Sequence, residues 1–349
     1  MSIQSKHPNM RLGDLSVGFV HGIAAATELH GQPAGELLDR FELTPERLAQ
    51  PHARLSIPRY MRLGHAAIQL TGNPALGLSI GQHTLLSQLG LTGVTAAQAP
   101  NVRAAARCIS RFEPLYAQNY RGASQLIEDR QGAWFSFYSI APYNAYNYFV
   151  VESVLLGWLN QLRQVCQRPL TAELVQIEYP EPSYAAEFST LLNCPVEFNA
   201  QHNRIRLSKN SLALSNPQHC ASTWYELLEL CEQQLAIKTR SSNLVEQAKQ
   251  LIAPLLKNGE PSIALIAKKM QLPTWTLRRR LAAQGTQFRA LIKQTRYDLA
   301  CSYIRDTELT FSEISWLLGF SSPEAFQRAF KRWSQQTPGQ FRQSMRRPT

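Results

Sequence analysis

The sequence predicts an α+β N-terminal domain followed by an all-α double helix-turn-helix domain. Three observations carry that prediction. Positive charge is concentrated at the C-terminal end: residues 241–349 hold 17 Lys and Arg against 7 Asp and Glu, while residues 1–240 hold 19 against 18, so +10 of the net +11 lies in the last third. The same third contains an internal repeat. Ser262-Ile263-x-x-Ile266-Ala267-x-x-Met270 matches Thr310-Phe311-x-x-Ile314-Ser315-x-x-Leu318, and Leu277-x-Arg279-x-Leu281 matches Phe326-x-Arg328-x-Phe330 with one extra residue in the second turn. The preceding two thirds mix helical and alternating apolar patterns.

With 349 residues, 44% hydrophobic and 17% charged, the chain reads as soluble and globular, with room for two or three domains. No apolar run approaches the roughly eighteen residues of a membrane span, and Met1 to Asp14 lacks the apolar core of a signal peptide, so a cytoplasmic protein is expected. Cys108, Cys166, Cys194, Cys220, Cys231 and Cys301 form no C-x-x-C pair and have no histidine at ligand spacing. Free core thiols are expected, with no metal site and no cofactor.

Residues 1–236 are assigned to the N-terminal domain. Glu36 to Leu48, Ile57 to Leu70 and Asn101 to Phe112 are predicted amphipathic helices. Gln125 to Ile127 and Ala133 to Ser139 alternate and predict a hairpin. Phe149 to Val165 is apolar and helical in length. Leu174 to Glu178, Val196 to Phe198 and Arg204 to Leu207 predict further strands. The aromatic stretch from Trp134 to Phe149, with Tyr143, Tyr146 and Tyr148, is the expected lining of a small-molecule pocket, although no single binding residue follows from it.

Gly77-Leu78-Ser79-Ile80-Gly81 fits G-x-S-x-G, which in a serine hydrolase needs a strand before it and a helix after it. Here Asn73-Pro74-Ala75-Leu76 predicts a turn running into a helix, and the histidines are scattered, so a hydrolase is the weaker alternative and no catalytic residue is assigned. Polar residues 237–243 are the expected linker, residues 244–343 the second domain, and residues 344–349 a basic tail.

In the first repeat, about residues 262–283, Ser262 caps a helix ending near Met270. Gln271-Leu272 forms the turn and Pro273-Thr274 opens the next helix. Leu277 and Leu281 face the core, while Trp275, Arg278 and Arg279 share another face. Phe288 to Ile304 is one long connector, capped by Thr286 after Gly285, with Phe288, Ile292, Leu299 and Tyr303 as its buried stripe. The second repeat, about residues 310–333, has sharper signals. Thr310 and Glu313 form a capping box, Gly319 ends the first helix, and Ser322-Pro323 starts the next.

Phe326, Phe330 and Trp333 fall on the second helix's buried face, and Glu324, Gln327, Arg328 and Lys331 on another. A lopsided basic domain of this shape fits a polyanion. The second helix of each unit is the part that enters a major groove. Arg and Gln suit guanine and adenine edges there; Glu324 can accept from cytosine or complement its helix dipole. The expected base contacts are therefore Trp275, Arg278, Arg279, Glu324, Gln327 and Arg328. Lys268, Lys269, Arg289, Lys293, Arg296, Lys331 and Arg332 are the expected phosphate contacts. A rigid connector would hold the two reading helices about one duplex turn, roughly 34 Å, apart. Non-specific nucleic-acid binding is the other alternative, but the basic third contains no aromatic strand pair of the single-strand-binding type.

Over residues 242–343 the chain resembles the AraC/XylS family of bacterial transcription regulators. Ile314-Ser315-x-Leu317-Leu318-Gly319-Phe320-Ser321-Ser322-x-x-x-Phe326-x-Arg328-x-Phe330-Lys331-Arg332 and Thr337-Pro338-Gly339-Gln340-Phe341-Arg342 carry the resemblance. It implies a DNA-binding domain whose base contacts sit at the six positions above. The first turn departs from the family, which commonly has Gly and Ser where this chain has Gln271 and Pro273. Around residues 20–220, Leu70-Thr71-Gly72-Asn73-Pro74-Ala75-Leu76-Gly77-Leu78 and Leu89-Gly90-x-x-Gly93 resemble the arabinose-binding-type N-terminal domain of ornithine-utilisation-type regulators. This implies effector sensing and self-association. The expected partners are double-stranded promoter DNA, a small-molecule effector of unidentified chemistry, a second copy of the chain and, for an activator, RNA polymerase; no membrane partner is expected.

Overall fold

Short-range signals set most of the element order in the computed structural model, which describes residues 12–241 and 243–346. Two compact units result, Asp14–Ile237 and a second beginning at Lys238. The signal-peptide reading of Met1 to Asp14 falls almost wholly outside the described residues, as do Ser242 of the expected linker and the last three residues of the expected tail.

In the first unit, β1 (Gly13–Ser16), β2 (Arg54–Ser56) and β3 (Ala117–Asn119) form a three-stranded sheet of order β2-β1-β3. Beside it lie α1 (Gly18–Leu29), α2 (Ala34–Arg40), α3 (Pro45–Leu48), α4 (Ile57–Thr71) and α5 (Leu76–Gln82). Val20, Ile23, Leu37, Leu63 and Leu76 make a buried cluster there. The single helix expected over Glu36 to Leu48 is broken into α2 and α3. Thr44, before Pro45, is extended with ψ 157, because the proline ring crowds a helical conformation in its predecessor; the Thr44 hydroxyl then accepts the Arg47 N–H.

After α6 (Leu91–Ala97), the Asn101 side chain accepts the Ala104 N–H at 2.9 Å and starts α7 (Val102–Arg111), which leads to α8 (Glu113–Tyr116). The expected hairpin forms as β4 (Gln125–Glu128) and β5 (Gly132–Phe137), with Leu126 opposite Phe135. These join β6 (Leu174–Gln176), β7 (Val196–Glu197) and β8 (Asn203–Ser208) in a sheet of order β4-β5-β8-β6-β7, in which only the β6–β7 pairing is parallel. The apolar helix α9 (Tyr148–Cys166) packs on this sheet. Its Trp158 ring stacks on Phe135 with centroids 3.7 Å apart and planes 6° from parallel. Helices α10 (Ala185–Leu192), α11 (Lys209–Ala213) and α12 (Ala221–Ser241) complete the series.

Close packing of α5 on α9 explains the G-x-S-x-G match. Gly77 and Gly81 are four residues apart on one helical face. A Cβ at Gly77 would lie 2.2 Å from Glu152 Oε2, and one at Gly81 2.8 Å from Leu156 Cβ. Ser79 is inside α5 rather than on a strand-to-helix elbow. Its hydroxyl lies 3.3 Å from His30 Nε2, but among the described residues no carboxylate bonds to that histidine.

Residues 237–241 of the expected linker are the last turn of α12, a helical end whose polar composition conceals it. Asn243 then accepts the Glu246 N–H and opens α13 (Leu244–Ile252). A 3-10 turn (Ala253–Asn258) leads to α14 (Ile263–Lys269), α15 (Thr274–Ala283), α16 (Phe288–Asp306), α17 (Phe311–Leu317), α18 (Pro323–Ser334) and α19 (Pro338–Arg346), so the expected basic tail begins within a helix.

The connector α16 is more enclosed than its expected stripe. Tyr297 through Ile304 are all buried, whereas Phe288 is only half-buried. Inside the unit Lys249 Nζ lies 3.1 Å from Asp298, whose other oxygen accepts Gln294 at 2.7 Å. Burial lowers the lysine pKa, but Asp298 and Glu246 outweigh it and hold it above its ordinary value. Thr286, expected to cap α16, does not; Gln287 occupies the cap without a side-chain bond.

Candidate nucleic-acid interface

In the second helix-turn-helix unit the expected caps form as hydrogen bonds. The Thr310 hydroxyl accepts the Glu313 N–H at 3.2 Å, and Glu313 accepts the Thr310 N–H at 2.7 Å. Gly319 turns the chain at φ +68, which favours glycine, and a Cβ there would be 1.9 Å from the Leu256 carbonyl oxygen. The Ser322 hydroxyl accepts the Ala325 N–H, and Pro323 follows at the first helical position.

Helix α18 then buries Phe326, Phe330 and Trp333 and leaves Glu324, Gln327, Arg328 and Lys331 exposed. Glu324 titrates below the ordinary carboxylate range because the Ser322 hydroxyl and its own backbone N–H donate to it, with Arg328 adding a smaller effect. A carboxylate so held complements the helix N-terminus.

The first unit reaches the same shape with different residues. The Ser262 hydroxyl accepts the Leu265 N–H. Gln271 takes the left-handed conformation, φ +55, where the second unit has Gly319. Pro273, extended, precedes α15. Leu277 and Leu281 are buried, and Trp275 is 62% exposed. The Arg279 guanidinium carbon sits 5.1 Å from the Trp275 ring centroid, and Arg278 is exposed beside it. An exposed tryptophan under a guanidinium presents an apolar plane and forked donors on one surface.

Of the expected phosphate contacts, Lys268, Lys269, Arg289, Lys293, Lys331 and Arg332 are exposed, and among the described residues none of them enters an ion pair. Arg296 is a correction. Its side chain is 13% exposed, pairs with Glu260 at 2.6 Å, donates to the Leu318 carbonyl at 3.0 Å and lies 5.3 Å from the Phe320 ring centroid. Those bonds tie α16 to the end of α17 and commit the Arg296 Nε and Nη1 donors to the fold rather than to a phosphate.

Residues 31–216 match the family described as the arabinose-binding domain of AraC transcription regulators, N-terminal part, and residues 266–344 match a helix-turn-helix domain. The chain belongs to the AraC family of transcription regulators. Its relatives are regulators too. It is 26% identical to the ornithine utilization regulator of Pseudomonas aeruginosa, over 94% of this chain and 96% of that one. It is 24% identical to the HTH-type transcriptional regulator VirS of Mycobacterium tuberculosis, over 87% and 89%. The crystal structure of the regulator CdpR from Pseudomonas aeruginosa is similar at 22% identity, covering 88% of this chain and 96% of that one, with a TM-score of 0.42.

The matched N-terminal domain of this AraC-family regulator contains a cavity of about 90 Å³. It lies where the cluster around Ile23 and Leu63 meets the core built on the five-stranded sheet. From the expected aromatic stretch, Phe137, Tyr138 and Ile140 line it. Tyr143 and Tyr146 are used otherwise: Tyr143 donates to Glu178 and accepts from Asn203, while Tyr146 packs on His65.

Two lining residues, Glu113 and Gln161, were not anticipated. Burial pushes the Glu113 carboxyl up to about 7, although the Ser124 N–H and hydroxyl both donate to it, at 2.6 and 3.0 Å. The Gln161 side-chain carbonyl is buried, and among the described residues nothing donates a hydrogen bond to it. The available signal was a glutamine inside the apolar stretch Phe149 to Val165. Nearby but outside the cavity, burial pushes Glu152 up to about 7 against the opposing effect of the Tyr184 and Tyr179 hydroxyls.

Among the described residues no cluster could hold a metal ion, and no helix is long and apolar enough to cross a membrane. Cys108, Cys166, Cys231 and Cys301 are buried. Exposed Cys220 departs from the expected core thiols, and hydrogen bonds from Ser222 and Thr223 bring it down to about 7.

Proposed function

We propose that this regulator reads two successive major grooves of promoter DNA, α15 entering one and α18 the next. Trp275, Arg278, Arg279, Gln327 and Arg328 contact bases, and Glu324 mainly completes its helix end. Lys268, Lys269, Arg289, Lys293, Lys331 and Arg332 hold the phosphates. What supports this most is the matched pair of exposed faces, one on each second helix, in a unit that carries nearly all the excess charge.

The N-terminal unit senses a small molecule in the cavity between its two apolar clusters. A ligand shifts DNA binding to the extent that it prefers one state of the protein over another. The chain acts as a cytoplasmic homodimer, contacts RNA polymerase where it activates, and performs no catalysis.

Band-shift titrations of the full-length protein on its promoter and on random duplex test the DNA reading. Arg279→Ala and Arg328→Ala should each cost roughly 1–3 kcal/mol on the promoter and far less on random DNA. Equal losses on both would refute the assignment.

A further inference from the structure

The cavity in the N-terminal unit is chemically selective. Much of its wall is apolar: Phe19, Ile57, Met61, Phe137, Val154 and Trp158 all face it. Most of its polar groups are already occupied within the wall. The Thr84 hydroxyl donates to the Ile80 carbonyl, Ser153 to Val150 and Tyr116 to Ile109, while Ser124 satisfies both oxygens of Glu113. Gln161 Oε1 stands apart: the residue is 2% exposed, and among the described residues nothing donates to this buried acceptor.

Among the described residues no Lys, Arg or His lines the cavity, so nothing there balances the charge of an anion. A buried polar group left unpaired is destabilising, so Gln161 favours a guest with a donor, whereas a guest with many hydroxyls would leave several unmatched. A cavity of about 90 Å³ is somewhat smaller than the 150 Å³ site known to hold benzene in another protein, and so suits a guest of about one small ring.

Resting on the effector-sensing reading above, we propose that the ligand is a small uncharged molecule with an apolar body and one hydrogen-bond donor directed at Gln161 Oε1, and that it is neither a sugar nor a carboxylate. The family's arabinose-binding description therefore does not extend to the ligand of this chain. Filling the cavity joins Leu15 and Tyr60 of one apolar cluster to Phe137 and Trp158 of the other, so such a guest stiffens the junction between them.

Calorimetric titration of the full-length protein with phenol, toluene, benzoate and arabinose tests the proposal, with band shifts on promoter DNA run alongside. Phenol should bind at least about tenfold tighter than benzoate or arabinose. Gln161→Met, which keeps the length of the side chain and removes the acceptor, should weaken phenol about tenfold and leave toluene unchanged or tighter. Val154→Phe, which fills the space, should abolish both, and circular dichroism establishes that each variant is folded.

Arabinose or benzoate binding tighter than phenol, phenol binding indifferent to Val154→Phe, or no binding by phenol at all would overturn the proposed ligand class. The sensing reading fails separately: if phenol binds as described and DNA affinity does not change, the ligand class stands and the regulatory role does not.

Discussion

The two helix-turn-helix turns have the same backbone shape but different residues, and substitutions at them should behave in opposite ways. Gly319 adopts φ +68, and an added Cβ would lie 1.9 Å from the Leu256 carbonyl oxygen. A side chain in the left-handed region costs about 1–2 kcal/mol. Pushing the Leu256 backbone aside costs roughly 1–3 kcal/mol more, by analogy with overpacked sites. The stiffer unfolded chain returns about 0.4–1 kcal/mol. Gly319→Ala should therefore destabilise the C-terminal unit by about 3 kcal/mol, or roughly 10–20 °C in Tm for a unit of this size.

Gln271, at φ +55, already bears the left-handed cost. Gln271→Gly should relieve it and, after the entropy of glycine, stabilise by about 0.5 kcal/mol. Thermal unfolding followed by circular dichroism measures both. A loss under about 3 °C for Gly319→Ala, or a Gln271→Gly variant as destabilised as Gly319→Ala, would refute the reasoning.

Arg296→Ala should lower the Tm of the C-terminal unit by breaking its bonds to Glu260 and Leu318, with little change in the salt dependence of DNA binding. Lys293→Ala should do the reverse, reducing the salt slope by about one while leaving Tm unchanged, as isothermal binding at several salt concentrations would show. The N-terminal unit should weaken as pH rises. Glu113 and Glu152 titrate near 7 folded and near 4.5 unfolded, so their stabilisation is complete below 4.5 and is lost through about 7. The loss is about 3 kcal/mol for each group, and urea midpoints at pH 5 and pH 8 should converge in the Glu113→Gln, Glu152→Gln double variant. Gly77→Val should unfold or strongly destabilise that unit, because its side chain would meet Glu152 and Phe149, whereas Ser79→Ala should leave stability and DNA affinity unchanged.

The second helix-turn-helix unit was readable because its determinants are local: Thr310 and Glu313 bond to each other, Gly319 turns, and Ser322-Pro323 starts a helix. The hairpin and α9 were readable from alternation and apolar length. The break between α2 and α3 was present in Pro45 but outweighed by the apolar spacing around it. Arg296 looked like any other exposed cation, since its burial depends on Glu260 and on the Leu318 carbonyl, 36 and 22 positions away. The cavity left almost no trace in the sequence because its wall is drawn from elements spread between Leu15 and Gln161. Only Phe137, Tyr138 and Ile140 fell in the aromatic stretch that drew attention to it.

Methylation-interference footprinting of the full-length regulator on genomic fragments it selects is the most direct test of two-groove reading. Two patches of major-groove guanines should appear on one face of the duplex, about 10 base pairs apart. Arg279→Ala should erase one patch and Arg328→Ala the other. A single patch, or the same patch lost in both variants, would contradict the assignment of one groove to each helix-turn-helix unit.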